Sequence, residues 1–158
     1  MIIRKIRKNK KKYLALLLLA DEQESMINRY LGRGRMFALF DGGLKTVCVV
    51  TDEGNRVCEL KNIATRPEDQ KKGYGREMIG FLCRRYRASF DTMTVGTGDS
   101  TLTVPFYRSC GFTEFGRVPN FFTDNYDHPI FERGRQLVDM VRLKRSLRES
   151  PSDPANRG

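Results

Sequence analysis

Histidine and paired cysteines are scarce in this chain. Its single histidine is His128, and its four cysteines, Cys48, Cys58, Cys83 and Cys110, are scattered with no C-x-x-C spacing. Neither a zinc site nor a disulfide framework fits such spacing, so no metal is expected. Also missing is an apolar run long enough to cross a bilayer. The nearest approach is Tyr13-Leu14-Ala15-Leu16-Leu17-Leu18-Leu19-Ala20 behind the basic stretch from Arg4 to Lys12, which imitates the opening of a signal peptide. Asp21-Glu22 follows at once without a small-residue cleavage site, and helical periodicity continues through Met26, Ile27, Tyr30 and Leu31. A buried first helix accounts for all of it. No membrane partner is expected, and free thiols suit a cytoplasmic location.

Acidic residues are the other shortage. Asp+Glu number 19 against 29 Lys+Arg, giving a net charge of +10 and a pI near 9.7. That balance favours an anionic partner, whether a polyphosphate cofactor, nucleic acid or an acidic surface, unless it is only a well-solvated basic surface. Nucleic acid is the less favoured of these, because there is no RNA-recognition aromatic signature, no Cys/His finger and no obvious helix-turn-helix.

The 158 residues are enough for one core and one domain, expected over 1–148. Residues 149–158 hold no apolar side chain able to anchor them and are expected to be a disordered tail. Apolar periodicity predicts strands over 1–6, 36–41, 45–51, 57–65, 93–98, 112–118 and 138–147. It predicts helices over 11–31, broken near Ala20-Asp21-Glu22, and over 73–89 and 101–109. Asp41-Gly42-Gly43 is a hairpin signal, and 119–134 is read as irregular, rich in aromatic and acidic residues. The order of elements is that of an α/β or α+β mixed-sheet protein.

The stretch from Val57 to Gly75 organises the rest. An apolar run ends in Ile63-Ala64-Thr65, Pro67 stops it, and Gln70-Lys71-Lys72-Gly73-Tyr74-Gly75 opens a helix. Two glycines one residue apart let the backbone approach a ligand, and the free N–H groups of a first helical turn then bind phosphate. A lone G-x-G is equally the mark of a turn before a helix. No Gly-Lys-Ser/Thr follows, which excludes a Walker loop. The other G-x-G, Gly96-Thr97-Gly98, has Thr101 where a dinucleotide fingerprint has its third glycine.

The pattern Gln70-x-x-Gly73-x-Gly75, with Glu59 eleven positions before it on the preceding strand, resembles the GCN5-related N-acetyltransferases. The segments Thr94 to Ser100, Phe106-Tyr107-Arg108-Ser109-Cys110-Gly111-Phe112 and Pro129-Ile130-Phe131-Glu132-Arg133-Gly134 extend the likeness over most of the chain, with a small bacterial subgroup closest. The resemblance implies a mostly antiparallel sheet of about seven strands, split at one point by the acetyl-CoA arm. It implies that the backbone from Lys71 to Arg76, including Lys72, Gly73, Tyr74 and Gly75, holds the pyrophosphate. It also implies that Ile63, Ala64 and Thr65 pair with the arm, that Ser100 stands where relatives contact pantetheine, and that Tyr107 serves the leaving thiolate. Glu59 becomes the base, acting through water on an ammonium whose pKa of about 10.4 otherwise keeps it protonated.

Each residue has a plainer reading: a surface Glu on a strand, a Tyr packed under a helix, a fully paired central strand. On strict alternation Glu59, Lys61 and Ile63 share one face, and Cys58, Leu60, Asn62 and Ala64 the other. Cys110 near an acyl donor invites a covalent mechanism, but it lacks a histidine partner and is read as a core thiol. Asn62, Asp99, Phe121, Phe122 and Tyr126 are candidate acceptor contacts, since aromatics and acids suit a cationic amine. The expected activity is therefore direct acetyl transfer to a primary amine, with a small molecule favoured over a protein. The competing readings are a basic nucleic-acid-binding module and a CoA-binding sensor without turnover. Relatives are often dimers, so a homodimer is an open expectation.

Overall fold

The structure, a computed structural model, describes residues 1–148; the tail expected over 149–158 lies outside the described residues. Among the described residues, nine strands and five α-helices follow one another. They are β1 (Ile2–Ile6), α1 (Leu14–Ala20), α2 (Glu24–Ile27), β2 (Arg35–Phe40), β3 (Leu44–Asp52), β4 (Val57–Thr65) and α3 (Tyr74–Tyr86). Then come β5 (Thr92–Gly98), α4 (Thr103–Ser109), β6 (Thr113–Val118), α5 (Phe121–Asn125), β7 (Phe131–Glu132), β8 (Arg135–Gln136) and β9 (Met140–Ser146).

Seven strands form one sheet in the order β1-β2-β3-β4-β5-β9-β6. Every neighbouring pair is antiparallel except β4 with β5. A parallel pair needs a crossover connection, and α3 provides it. Its buried side chains Met78, Ile79, Leu82 and Tyr86 join Phe37, Cys48, Leu60, Val95 and Leu143 in the core on one face. On the opposite face Leu17, Ile27 and Leu31 cover Met36, Val47, Val49 and Ala64.

The basic N-terminal stretch is partly used inside the fold. Lys10 Nζ donates to the carbonyls of Leu31, Gly32 and Gly34, and Lys11 Nζ reaches Glu24 and Asn28. The expected helix over 11–31 is divided at Asp21, which is extended at φ −143°. The stretch 119–134 is not irregular throughout. It holds α5 and the first strand of the β7–β8 hairpin, because Asn120 enters the left-handed region at φ 57° and its N–H is taken by Asp139.

Candidate active site

Strands β4 and β5 pair only from Val57–Thr92 to Leu60–Val95. Beyond that point β4 stays on β3 as far as Thr65 and β5 stays on β9 as far as Gly98. A wedge opens between them, with its apex at Lys61 and Gly96. A cavity of about 550 Å³ lies there, lined on β4 by Glu59 through Thr65, on β5 by Val95 through Gly98, and by Gln70 and Tyr107. Extended backbone without a strand partner can hydrogen-bond an extended ligand.

A bulge sits at the apex. Val49 pairs with Asn62 and Val50 with Leu60, so Lys61 is the extra residue, and such an insertion re-aims the side chains around it. Strict alternation therefore fails here. Cys58, Leu60 and Ile63 all face the α3 side, whereas Ala64 faces α1 and Asn62 donates to Leu17 O at 3.0 Å. Glu59 lies on that second face, bonded to Thr94 and Arg142, which alternate with the core residues Met93, Val95, Val141 and Leu143. The bulge thus places Glu59 and Asn62 on the same side of the wedge.

Glu59 is 9% exposed. Its Oε1 accepts from Arg142 Nη2 at 2.9 Å and Thr94 Oγ1 at 3.1 Å, and its Oε2 meets Lys61 Nζ at 2.6 Å. Tyr107 is buried against Phe106 and Phe112 and lines the cavity. Burial raises its phenol above the ordinary range, which keeps the proton on it for donation. Cys110 is also buried and its thiol is raised by desolvation, the opposite of what an attacking thiolate needs.

The geometry of the loop before α3 follows from two different glycine requirements. Gly73 precedes α3 at φ 90°, a conformation that disfavours any Cβ. At Gly75 a Cβ would come within 3.3 Å of Phe106 Cζ, so this glycine admits close packing against α4. The first helical amide taken up is that of Glu77, which donates to Gly73 O. The N–H groups from Lys71 to Arg76 have no backbone acceptor among the described residues. Lys72 is held by Asp69, Tyr74 Oη donates to Asp41, and Arg76 is fixed to Ser109 O and Oγ. Gln70 Nε2 donates to Thr65 O at 3.1 Å, closing the end of β4 onto the loop. The loop presents its backbone amides together with the exposed side chain of Lys71.

Opposite the wedge, Asp21 at the end of α1 accepts from Tyr30 Oη at 2.8 Å and from Tyr126 Oη at 2.6 Å. Desolvation raises its carboxyl above the ordinary range despite both hydrogen bonds. Tyr30 Oη in turn accepts from Asn62 Nδ2 at 3.1 Å, while Asn62 Oδ1 is buried without a partner. Phe122 stacks on Tyr126, with Phe121 edge-on to both. Asp21, Tyr30, Asn62 and the three aromatics all line the cavity.

The comparisons agree with this geometry. The Acetyltransferase (GNAT) domain family matches residues 32–114. Across 131 residues, 81% of this chain and 84% of the relative, the sequence is 36% identical to the uncharacterised N-acetyltransferase YvbK of Bacillus subtilis. The chain belongs to the GNAT acetyltransferase family. A Bacillus subtilis acetyltransferase solved in complex with CoA superposes with a TM-score of 0.83 at 33% identity, covering 91% of this chain and 97% of its own. A GNAT family acetyltransferase from Elizabethkingia anophelis, solved with acetyl-CoA bound, gives 0.86 at 27% identity, with 92% and 97% covered. Both ligands carry the pyrophosphate that free helix-terminal amides are suited to hold.

The cavity lining includes neither the loop from Lys71 to Arg76 nor Asp99 and Ser100. Asp99 is 44% exposed at its side chain and paired with Arg117. Ser100 Oγ accepts from the N–H groups of Leu102 and Thr103, so its oxygen is committed to the start of α4. Asp21, Tyr30, Lys61, Thr94 and Arg142 line or brace the site without having been singled out. Asp21 carried a signal, as the acid that ends the apolar run. Arg142 carried none, because its relation to Glu59 exists only through β5 lying between β4 and β9.

Proposed function

We propose that this protein transfers the acetyl group of acetyl-CoA directly to a primary amine, with a small molecule favoured as acceptor. The observation that carries the proposal is the wedge: an unpaired edge of β4 runs from the phosphate loop at Gln70 to a buried carboxylate, Glu59, at its apex. The CoA- and acetyl-CoA-bound relatives support the first half of that reading. In it, the amides of Lys71 to Arg76 receive the pyrophosphate, and the edges at Ile63, Ala64 and Thr65 receive the arm.

At the apex, the neutral amine attacks the thioester carbonyl, Glu59 takes the ammonium proton through water, and Tyr107 donates to the departing thiolate. The acidic and aromatic wall of Asp21, Tyr30, Phe121, Phe122 and Tyr126 favours a cationic acceptor, since a carboxylate and π faces both attract an ammonium group. The internal use of Lys10 and Lys11 counts against a basic arm that tracks phosphates. Thiol release from acetyl-CoA in the presence of a panel of primary amines tests the proposal. Saturable turnover of a small amine is expected. Stoichiometric acetyl-CoA binding with no turnover of any amine would leave a CoA sensor instead, and binding to duplex DNA that is tight at low salt but not to CoA would reject the reading altogether.

A further inference from the structure

Lys61 already occupies the place the proposed mechanism reserves for an acceptor. It is the bulged residue of β4, the first beyond the last β4–β5 pair, Leu60–Val95. Its ammonium lies 2.6 Å from Glu59 Oε2, and both side chains line the cavity. An acyl chain entering along the free edge from Gln70 and Thr65 toward Lys61 would bring its thioester end to this apex. The side chain is only 24% exposed, so bulk solvent does not compete freely for the amine. A primary amine, a carboxylate in contact with its protons and the acyl terminus then meet within one cavity.

We propose that Lys61 is a site of self-acetylation. The inference rests on the acetyl-transfer reading above. Glu59 takes one proton from the Lys61 ammonium and passes it to water, the neutral Nζ attacks the thioester carbonyl, the carbon–sulfur bond breaks as the carbon–nitrogen bond forms, and the second proton lost from the nitrogen goes to the departing CoA thiolate. The products are Nε-acetyl-Lys61 and CoA, with no oxidant or metal required. Acetylation removes the Lys61 charge, releases Glu59 Oε2 and leaves a neutral amide in the space of an acceptor. Glu59 then retains only Arg142 and Thr94.

The test incubates the full chain with acetyl-CoA and no added amine, and follows acetyl incorporation by intact mass and peptide mapping. One acetyl group on Lys61 is expected, formed at a rate per molecule independent of protein concentration, because donor and acceptor share one cavity. Incorporation at this position should vanish in Lys61→Arg, which keeps the charge, and fall by about 10²-fold or more in Glu59→Gln, the range for loss of a general base. Should Glu59→Gln fail to fold, the concentration dependence in the parent protein carries the same decision. A rate at Lys61 no faster than at the exposed Lys71, or one that rises with protein concentration, would overturn the proposal. An unmodified Lys61 in a preparation that acetylates a small amine would overturn it while leaving the acetyltransferase reading intact. Absence of both would remove both.

Discussion

Replacing Glu59 by Gln tests the proposed chemistry most directly. The amide keeps one oxygen to accept from Thr94 and Arg142, but its NH2 group now faces Lys61 Nζ, so the contact on Oε2 is lost. Both stranded cations retain some solvent, their side chains being 35% exposed at Arg142 and 24% at Lys61. The stability cost is therefore about 1–3 kcal/mol, or a melting shift of about 2–4 °C for each kcal/mol. The chemical cost is larger. Loss of a general base lowers the rate by about 10²–10⁴-fold, equivalent to roughly 2.7–5.4 kcal/mol in the barrier. Rates should be measured well below the melting temperature, at saturating acetyl-CoA, from pH about 6 to 9. Without a base the reaction depends on amine already neutral in solution, a fraction that rises about tenfold per pH unit below its pKa of about 10.4. The variant should therefore climb more steeply with pH than the parent. Full activity in Glu59→Gln, or a profile parallel to the parent's, would refute the assignment.

Tyr107→Phe should lower the rate without that extra alkaline climb, because the lost group serves the leaving thiolate and not the amine; superimposable profiles for the two variants would show the roles misassigned. Gly73→Val should abolish acetyl-CoA binding by calorimetry, since φ 90° in a residue with a Cβ costs about 1–2 kcal/mol and the loop would relax away from its amide array. Gly75→Val should act mainly on stability, through Phe106, and a variant that melts like the parent would contradict that division. Asp21 is held above its ordinary range by burial, so the folded state retains its proton more tightly than the unfolded chain, where the pKa is about 3.9. Its stabilising contribution is present below that value and lost as pH rises through the folded pKa. Asp21→Asn has no such proton, so its melting temperature relative to the parent should rise from pH about 3.5 toward neutrality; a constant difference would show that Asp21 does not titrate abnormally.

Local order was legible along the chain because it is set by neighbours. Period-two and period-3.6 apolar patterns mark β4 and α3, the paired glycines mark the hairpin after Asp41 and the loop before Tyr74, and the Gln70-x-x-Gly73-x-Gly75 spacing after Glu59 identified the family. The same locality explains what stayed hidden. A short helix and a hairpin strand lie hidden in 119–134, where aromatic residues packed on one another carry no period. Ser100 is engaged by the N–H groups of Leu102 and Thr103, two and three residues on, whereas Asp99 is engaged by Arg117, a partner 18 positions away. What the tertiary structure alone decided is the apex of the wedge. The Lys61 bulge is defined by a register against β3, and a one-residue slip moves side chains to the other face. The grip of Arg142 on Glu59 spans 83 positions, and Asp21 meets Tyr126 across 105. Sequence supplied Glu59, Lys61 and the glycine loop; sheet order and one inserted residue brought Glu59 and Lys61 into a single cavity beside Gln70.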